Sequence, residues 1–172
     1  MDATPGTDHD LIARLKRYQD VCNRYDIDAA LEMFADDGCI EVRGVRYCGK
    51  AVLREAHEYD LGSKTQVAFD DFAVEGNVVR CRFITCDEVD RVVGIDGRHM
   101  CAEFTFHEGR IQTFLSLPAD EAEVQRHREA KRVFMQWARE HYPEEVAKGF
   151  AFNYESGASL ARVAHAWRDS LG

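Results

Sequence analysis

Three side chains in this sequence have the type and placement for proton transfer: Tyr18, His57 and Asp87. Tyr18 falls on an apolar stripe with Leu11, Leu15, Cys22 and Tyr25, whose spacings of three and four put them on one helix face. A tyrosine on such a face buries its ring and seeks a partner for its hydroxyl, which then serves either packing or a reacting oxygen. His57 lies in a further helical segment. An imidazole titrates near neutrality, the range that suits general acid or base work, although the residue alone reads as an ordinary helix histidine. Asp87 has the strand parity of Val79, Cys81, Phe83 and Thr85, so the alternation points it inward, where a carboxylate is costly unless paired. The acidic run Cys86-Asp87-Glu88-Val89-Asp90-Arg91 also suits a bulge that would turn Asp87 to solvent.

The elements that must position these groups follow from periodicity. A first helix is expected to begin at Thr7 or Asp8, either of which can cap it, and a second covers residues 28–34 until Asp36-Asp37-Gly38 breaks it. Strands over 39–42 and 45–48 flank an Arg43-Gly44 turn, and a third helix over 50–59 is entered from Gly49 and ends near Gly62. From Thr65 the pattern alternates. Val67, Phe69, Phe72 and Val74 mark one strand, residues 78–89 a long second one, and 100–106 with 110–117 a hairpin around His107-Glu108-Gly109 that ends at Pro118. Helices followed by a meander of antiparallel strands make an α+β domain rather than an alternating α/β one. Residues 119–172 read as a helical extension to a domain over 1–118, with helices over 120–141 and 158–171 separated by Pro143. Its aromatic residues Phe134, Trp137, Phe150, Phe152, Tyr154 and Trp167 need cover from the sheet domain or from a partner subunit.

Composition narrows the function classes. A chain of 172 residues with 45% hydrophobic content can bury a core of its own. A net charge of −9, with Lys and Arg scattered among acids, argues against nucleic acid as a partner. The six cysteines form no C-x-x-C pair and are expected to be reduced, mostly buried core residues. The opening MDATPGTDHD has no basic region or apolar stretch, and no apolar run approaches the roughly 20 residues of a membrane span, so the expected location is the cytoplasm, with no membrane contact. There is no G-x-G-x-x-G, P-loop, H-E-x-x-H or G-x-S-x-G motif, and His107, His127 and His141 have no metal-ligand spacing with the cysteines. No cofactor is expected.

The run from Arg17-Tyr18 through Asp26-Ile27-Asp28 and Met33-Phe34-Ala35-Asp36-Asp37, with Gly109-Arg110-Ile111-Gln112-Thr113, resembles bacterial ketosteroid isomerases over about residues 11–118. The Phe-Ala-Asp-Asp element is similar to one found across the nuclear transport factor 2-like, or SnoaL-like, superfamily. The resemblance implies a curved, mostly antiparallel sheet whose N-terminal helices close a cone-shaped pocket. It places the isomerase tyrosine on Tyr18, the proton-shuttling aspartate on Val42 and the protonated aspartic acid on Ala102. Neither Val42 nor Ala102 can move a proton or donate a side-chain hydrogen bond, so that reaction is not carried over. His57 falls where related isomerases have a pocket tyrosine bonded to the first-helix tyrosine, and Phe114 where they place a wall residue. Phe34, Phe83, Met100, Phe104 and Phe106 are expected to line or underlie the cavity, with Trp137 and Trp167 closing its mouth. The outer sheet face, carrying His99 and Glu103, is by resemblance a homodimer surface.

These observations lead to the expectation of a cofactor-independent acid–base enzyme, an isomerase, cyclase or lyase, acting on a small hydrophobic cyclic or aromatic molecule. Tyr18 would donate to a developing oxyanion while His57 or Asp87 moves the proton. Epoxide hydrolysis of the limonene-epoxide hydrolase type needs a second inward acid beside Asp87 and Arg98, and the sequence does not place one. A non-catalytic small-ligand-binding module is the third reading. Ionisable groups converging on an open cavity would favour catalysis over it.

Overall fold

The first helix, α1 (Asp8–Asn23), buries Leu11, Leu15, Tyr18 and Val21 on one face. The expected stripe is therefore present, except that Tyr25 lies beyond the helix at φ 57°. The computed structural model describes residues 8–149 and 151–172, so Thr7 and Phe150 lie outside the described residues. Helix α2 (Ile27–Glu32) starts under an Asp26 cap. It ends earlier than the apolar pattern suggests because Phe34 already belongs to strand β1 (Phe34–Val42). The Asp36-Asp37-Gly38 step is thus not a break after a helix. It sits where the pairing register shifts between Phe34 and Cys39.

Strand β2 (Val45–Cys48) folds back on β1 across Arg43 and Gly44, whose positive φ values of 53° and 75° match the twist of a tight hairpin. This register sets Cys39 directly opposite Cys48, and the two form a disulfide. That corrects the expectation of six reduced cysteines, since cross-strand partners in a short hairpin bring two thiols together whatever the sequence spacing suggests. It also removes cysteine usage as an argument for a reducing compartment.

Helix α3 (Lys50–Ser63) ends close to Gly62, as expected, and closes on Lys64 in a left-handed conformation. Then come β3 (Gln66–Glu75), β4 (Val78–Cys86), a short α4 (Glu88–Val92), β5 (Arg98–His107) and β6 (Arg110–Pro118). The sheet order is β2-β1-β6-β5-β4-β3, antiparallel throughout except where β1 runs parallel to β6. On β4 the inward parity of Val79, Cys81, Phe83 and Thr85 is as the alternation requires, and all four are buried. The strand nevertheless stops at Cys86, three residues short of its expected end. The outer face carries charge instead, with Arg80 bonded to Glu103 and Glu75 and Arg82 forked onto Asp70.

Among the described residues two apolar clusters form. The larger packs Leu15, Phe34, Leu53, Val79, Phe104 and Ile111 between the helices and the inner sheet face. The smaller joins Val89 of α4 to Phe134 and Ala138 of α5 (Glu121–His141), Val146 of α6 (Pro143–Lys148), and Val163 and Ala164 of α7 (Tyr154–Ser170). Helix α7 crosses α3 at a point where only glycine fits. A Cβ on Gly157 would stand 2.3 Å from the Tyr59 carbonyl oxygen, and one on Gly62 2.3 Å from that of Tyr154. Among the described residues no helix is long and apolar enough to cross a membrane. Replacing Gly157 by alanine forces this crossing apart and should cost about 1–3 kcal/mol, read as a lower urea midpoint; an unchanged midpoint would mean the helices do not pack this closely.

Candidate active site

Where α1 and α3 lean over the inner face of the sheet they enclose a cavity of about 280 Å³. Helical spacing decides which groups enter it. Tyr18 and Cys22, four residues apart on α1, and His57 and Asp60, three apart on α3, share inward faces and line it. The sheet contributes Val42, Phe83, Met100 and Phe114 as wall residues, with Phe69, Thr85, Arg98 and Ser116 beside them.

Tyr18 and His57 are directly bonded, Oη to Nε2 at 3.1 Å. The direction of that bond follows from the other ring nitrogen. His57 Nδ1 lies 2.7 Å from the Leu53 carbonyl oxygen, which can only accept, so Nδ1 carries the hydrogen. Burial, aided by Arg54 and opposed by the Leu53 bond, lowers the imidazole pKa and keeps the ring neutral at physiological pH. Nε2 is then bare and the Tyr18 hydroxyl donates to it. Tyr18 thus presents oxygen lone pairs to the cavity rather than the free donor expected from the sequence. Its own pKa is pushed well up, by burial first and by Cys22 and Asp60 after it. The Cys22 thiol is likewise raised by burial.

Asp60 is the group the sequence reading missed. It lies within the expected helix, which ends near Gly62, but its inward direction is not among the expectations drawn from the sequence. The signal was present, since position 60 continues the inward row Leu53, Ala56, His57 at helical spacing. Burial raises its carboxyl to about 7, against smaller lowering effects from Arg98 and a Thr65 hydrogen bond and a smaller raising effect from Asp87. It can therefore be either acid or base near neutrality.

Asp87 does not serve as the inward carboxylate. It ends β4 and caps α4: its Oδ1 accepts the Asp90 N–H at 2.7 Å, while the Asp90 carboxylate accepts the Asp87 N–H at 3.1 Å. A reciprocal capping box is a stronger local preference than strand continuation, which is why parity failed here. Asp87 also meets Lys131 at 3.4 Å and Arg98 at 3.7 Å. Asp90 is reached by Lys131 at 2.6 Å and by His127 Nε2 at 2.9 Å. Asp90 is fully buried, and although burial opposes its charge, the His127 and Lys131 contacts hold its carboxyl well below the usual range.

Of the residues expected to line or underlie the cavity, Phe34 and Phe104 underlie it, and Ala102 does not line it either. Phe34 meets the edge of Tyr18 at 5.6 Å, Phe104 stacks beneath Phe114 at 4.4 Å, and Ala102 is buried in β5. Trp137 stacks on His141 at 4.7 Å, and Trp167 packs on Phe134, both in the smaller cluster, so neither closes the mouth. The tail reaches the cavity through Gly149, Ala151 and Phe152, and the Phe152 ring sits between Tyr47 and Tyr59 at 4.7 and 5.1 Å. Large indoles reading as a lid from sequence were claimed by the second core, where more apolar surface can be buried.

No protein-family model matches this sequence, and no curated protein matches it either. Solved structures do share the fold. A Sinorhizobium meliloti protein assigned as a polyketide cyclase is 22% identical, covering 60% of this chain and 93% of its own, at a TM-score of 0.53. The epoxide hydrolase/cyclase-like enzyme SalBIII, described for pyran ring formation in the polyether salinomycin, is 18% identical over 64% of this chain and 92% of its own, at 0.55. A Methylobium petroleophilum protein with a cystatin-like fold is 11% identical over 68% and 80%, at 0.58. This chain therefore shares the cystatin-like fold of these structures, a sheet backed by N-terminal helices.

The Asp60 carboxyl has a consequence for stability. Its pKa is about 7 in the folded protein, against an ordinary aspartate value of 3.8. Between these values the folded state holds a proton that the unfolded state has lost, so this group makes stability fall as pH rises from about 4 to 7. Asp60→Asn, which carries no charge to bury, should match wild type in Tm at pH 4 and exceed it by about 10 °C at pH 8. A pH-independent difference would place Asp60 in contact with solvent.

Proposed function

We propose that this protein is a cofactor-independent acid–base enzyme, an isomerase, cyclase or lyase, acting on a small hydrophobic cyclic or aromatic molecule within the cavity. The observation that carries the reading is the convergence of a neutral Tyr18–His57 pair and a near-neutral Asp60 on one largely apolar cavity. Ionisable side chains are costly in such a place, and proton transfer is the chemistry that this set can perform.

The resting hydrogen bonds order the steps. A substrate X–H bond gives its proton to the Tyr18 oxygen as the Tyr18 proton passes to His57 Nε2. The resulting imidazolium keeps Nδ1–H on the Leu53 carbonyl and Nε2–H on Tyr18. Asp60 in its protonated form gives its proton to the oxygen on which negative charge develops. The site begins with both α3 groups neutral and ends with opposite charges one helical turn apart, where they attract. Arg98 beside Asp60 stabilises the carboxylate that remains. Phe152, Tyr47 and Tyr59 restrict water at the mouth.

A second reading, epoxide opening by water or by an internal hydroxyl, is favoured by Asp60 next to Arg98. It supplies the inward acid that the sequence could not place, and the SalBIII likeness in fold agrees with it. Asp87 is committed to capping, so the base in that reaction is again the Tyr18–His57 pair. In this assignment residues 1–118 form the catalytic cone and 119–172 an extension that completes its mouth. Pairing of two copies through the charged outer sheet face belongs to the same proposal.

The test is proton exchange and ring opening in D₂O, followed by NMR on a panel of cyclic ketones and hydroxy-epoxides. Wild type should incorporate deuterium or open a ring. Asp60→Asn should lower the rate by about 10²–10⁴-fold, and Tyr18→Phe by at least about 10-fold, with circular dichroism unchanged. A wild type inert to the whole panel, or full activity in Asp60→Asn, would contradict the assignment.

A further inference from the structure

Two arginines line the same cavity, and neither is fully partnered. Arg98 Nε is buried and makes no hydrogen bond. The nearest carboxylate to Arg98 is Asp87, at 3.7 Å, beyond hydrogen-bond length, and that carboxylate is already shared with the Asp90 N–H and Lys131. Arg43 sits on the β1–β2 turn at φ 53°, and among the described residues it has no ion pair. Tyr59 lies within the field of both guanidinium groups, each of which opposes the rise that burial imposes on its hydroxyl. A desolvated guanidinium N–H left without an acceptor is unfavourable, and the group whose geometry answers a guanidinium fork is a planar oxyanion. The same cavity has an apolar wall formed by Phe83, Met100 and Phe114.

We propose that the cavity takes a small ring-bearing carboxylate, its carboxylate held by Arg98 and Arg43 at the mouth and its ring among Phe83, Met100 and Phe114. Size bounds the ring. An apolar cavity of ~150 Å³ holds one benzene, so the 280 Å³ here admits a bicyclic ring with a short substituent. Asp60 does not repel such a ligand near neutrality, because its protonated form can donate to the bound anion. This names the substrate class for the acid–base site above and rests on that reading for turnover, although binding itself needs no proton transfer.

The probes are 2-naphthoate and its methyl ester, titrated calorimetrically at pH 7.0. Naphthoate is expected to bind at least about tenfold tighter than the ester. Arg43→Gln and Arg98→Gln should each cut that preference at least about threefold, and the double variant should abolish it, with ester affinity changed by less than about threefold throughout. Because Arg98 also approaches Asp87, the exposed-turn variant Arg43→Gln carries the test should Arg98→Gln fail to fold. Equal affinities for acid and ester in wild type, binding of neither, or a preference intact in the arginine variants would overturn the proposal. Asp60→Asn should retain naphthoate binding, so loss of turnover with binding kept separates a failure of the carboxylate site from a failure of the acid–base assignment.

Discussion

The hydrogen bond from Tyr18 to His57 ties the first helix to the third across the apolar interior of the cone. It can form because Tyr18 of α1 and His57 of α3 face each other within a surface otherwise built largely from Leu11, Leu15, Leu53 and Ala56. Once both rings are buried, each satisfies the other, and Leu53 satisfies the remaining imidazole nitrogen. The arrangement fixes the tautomer, and the tautomer fixes which way a proton can move. Asp60, one turn further along α3, is half-buried at the same cavity, and burial shifts its pKa upward.

The C-terminal helices act on this site at a distance from their own core. Helix α7 lies so close to α3 that Gly62 and Gly157 meet backbone to backbone, which holds the helix bearing His57 and Asp60 from behind. Helix α5 supplies Lys131 and His127 to the buried Asp90, and Lys131 also reaches Asp87, the only ion-pair partner of Arg98 among the described residues. Buried ion pairs of this kind contribute little net stability, because desolvation offsets most of the attraction, but losing one partner is costly. Their effect here is positional. They leave Arg98 beside the cavity with one N–H still seeking an acceptor.

Much of the fold was legible because periodicity reports burial directly. The α1 stripe, the inward parity of β4 and the β5–β6 hairpin were all read from spacing, and so was the place of Tyr18 and His57 with the help of a family resemblance. The misreadings have local physical causes. A capping box at Asp87 ended β4 before the alternation did. Asp60 was passed over because a charged residue near a helix end reads as a solvated one, although its spacing from Ala56 and His57 turns it inward. Cys39 and Cys48 met through hairpin register, which cysteine spacing does not encode. Trp137 and Trp167 were placed by chemistry alone, and competition between two hydrophobic clusters decided their position.

The account turns on a carboxyl group that burial holds near neutrality beside a neutral tyrosine–histidine pair. Carbon-13 NMR of aspartate-labelled protein, with the Asp60 resonance identified by its loss in Asp60→Asn, follows that group through a pH titration. A midpoint of about 7 is the expected result. A midpoint near 4, the value of a solvated aspartate, would contradict the account, since Asp60 would then be an ordinary surface carboxylate with no proton to give at neutral pH.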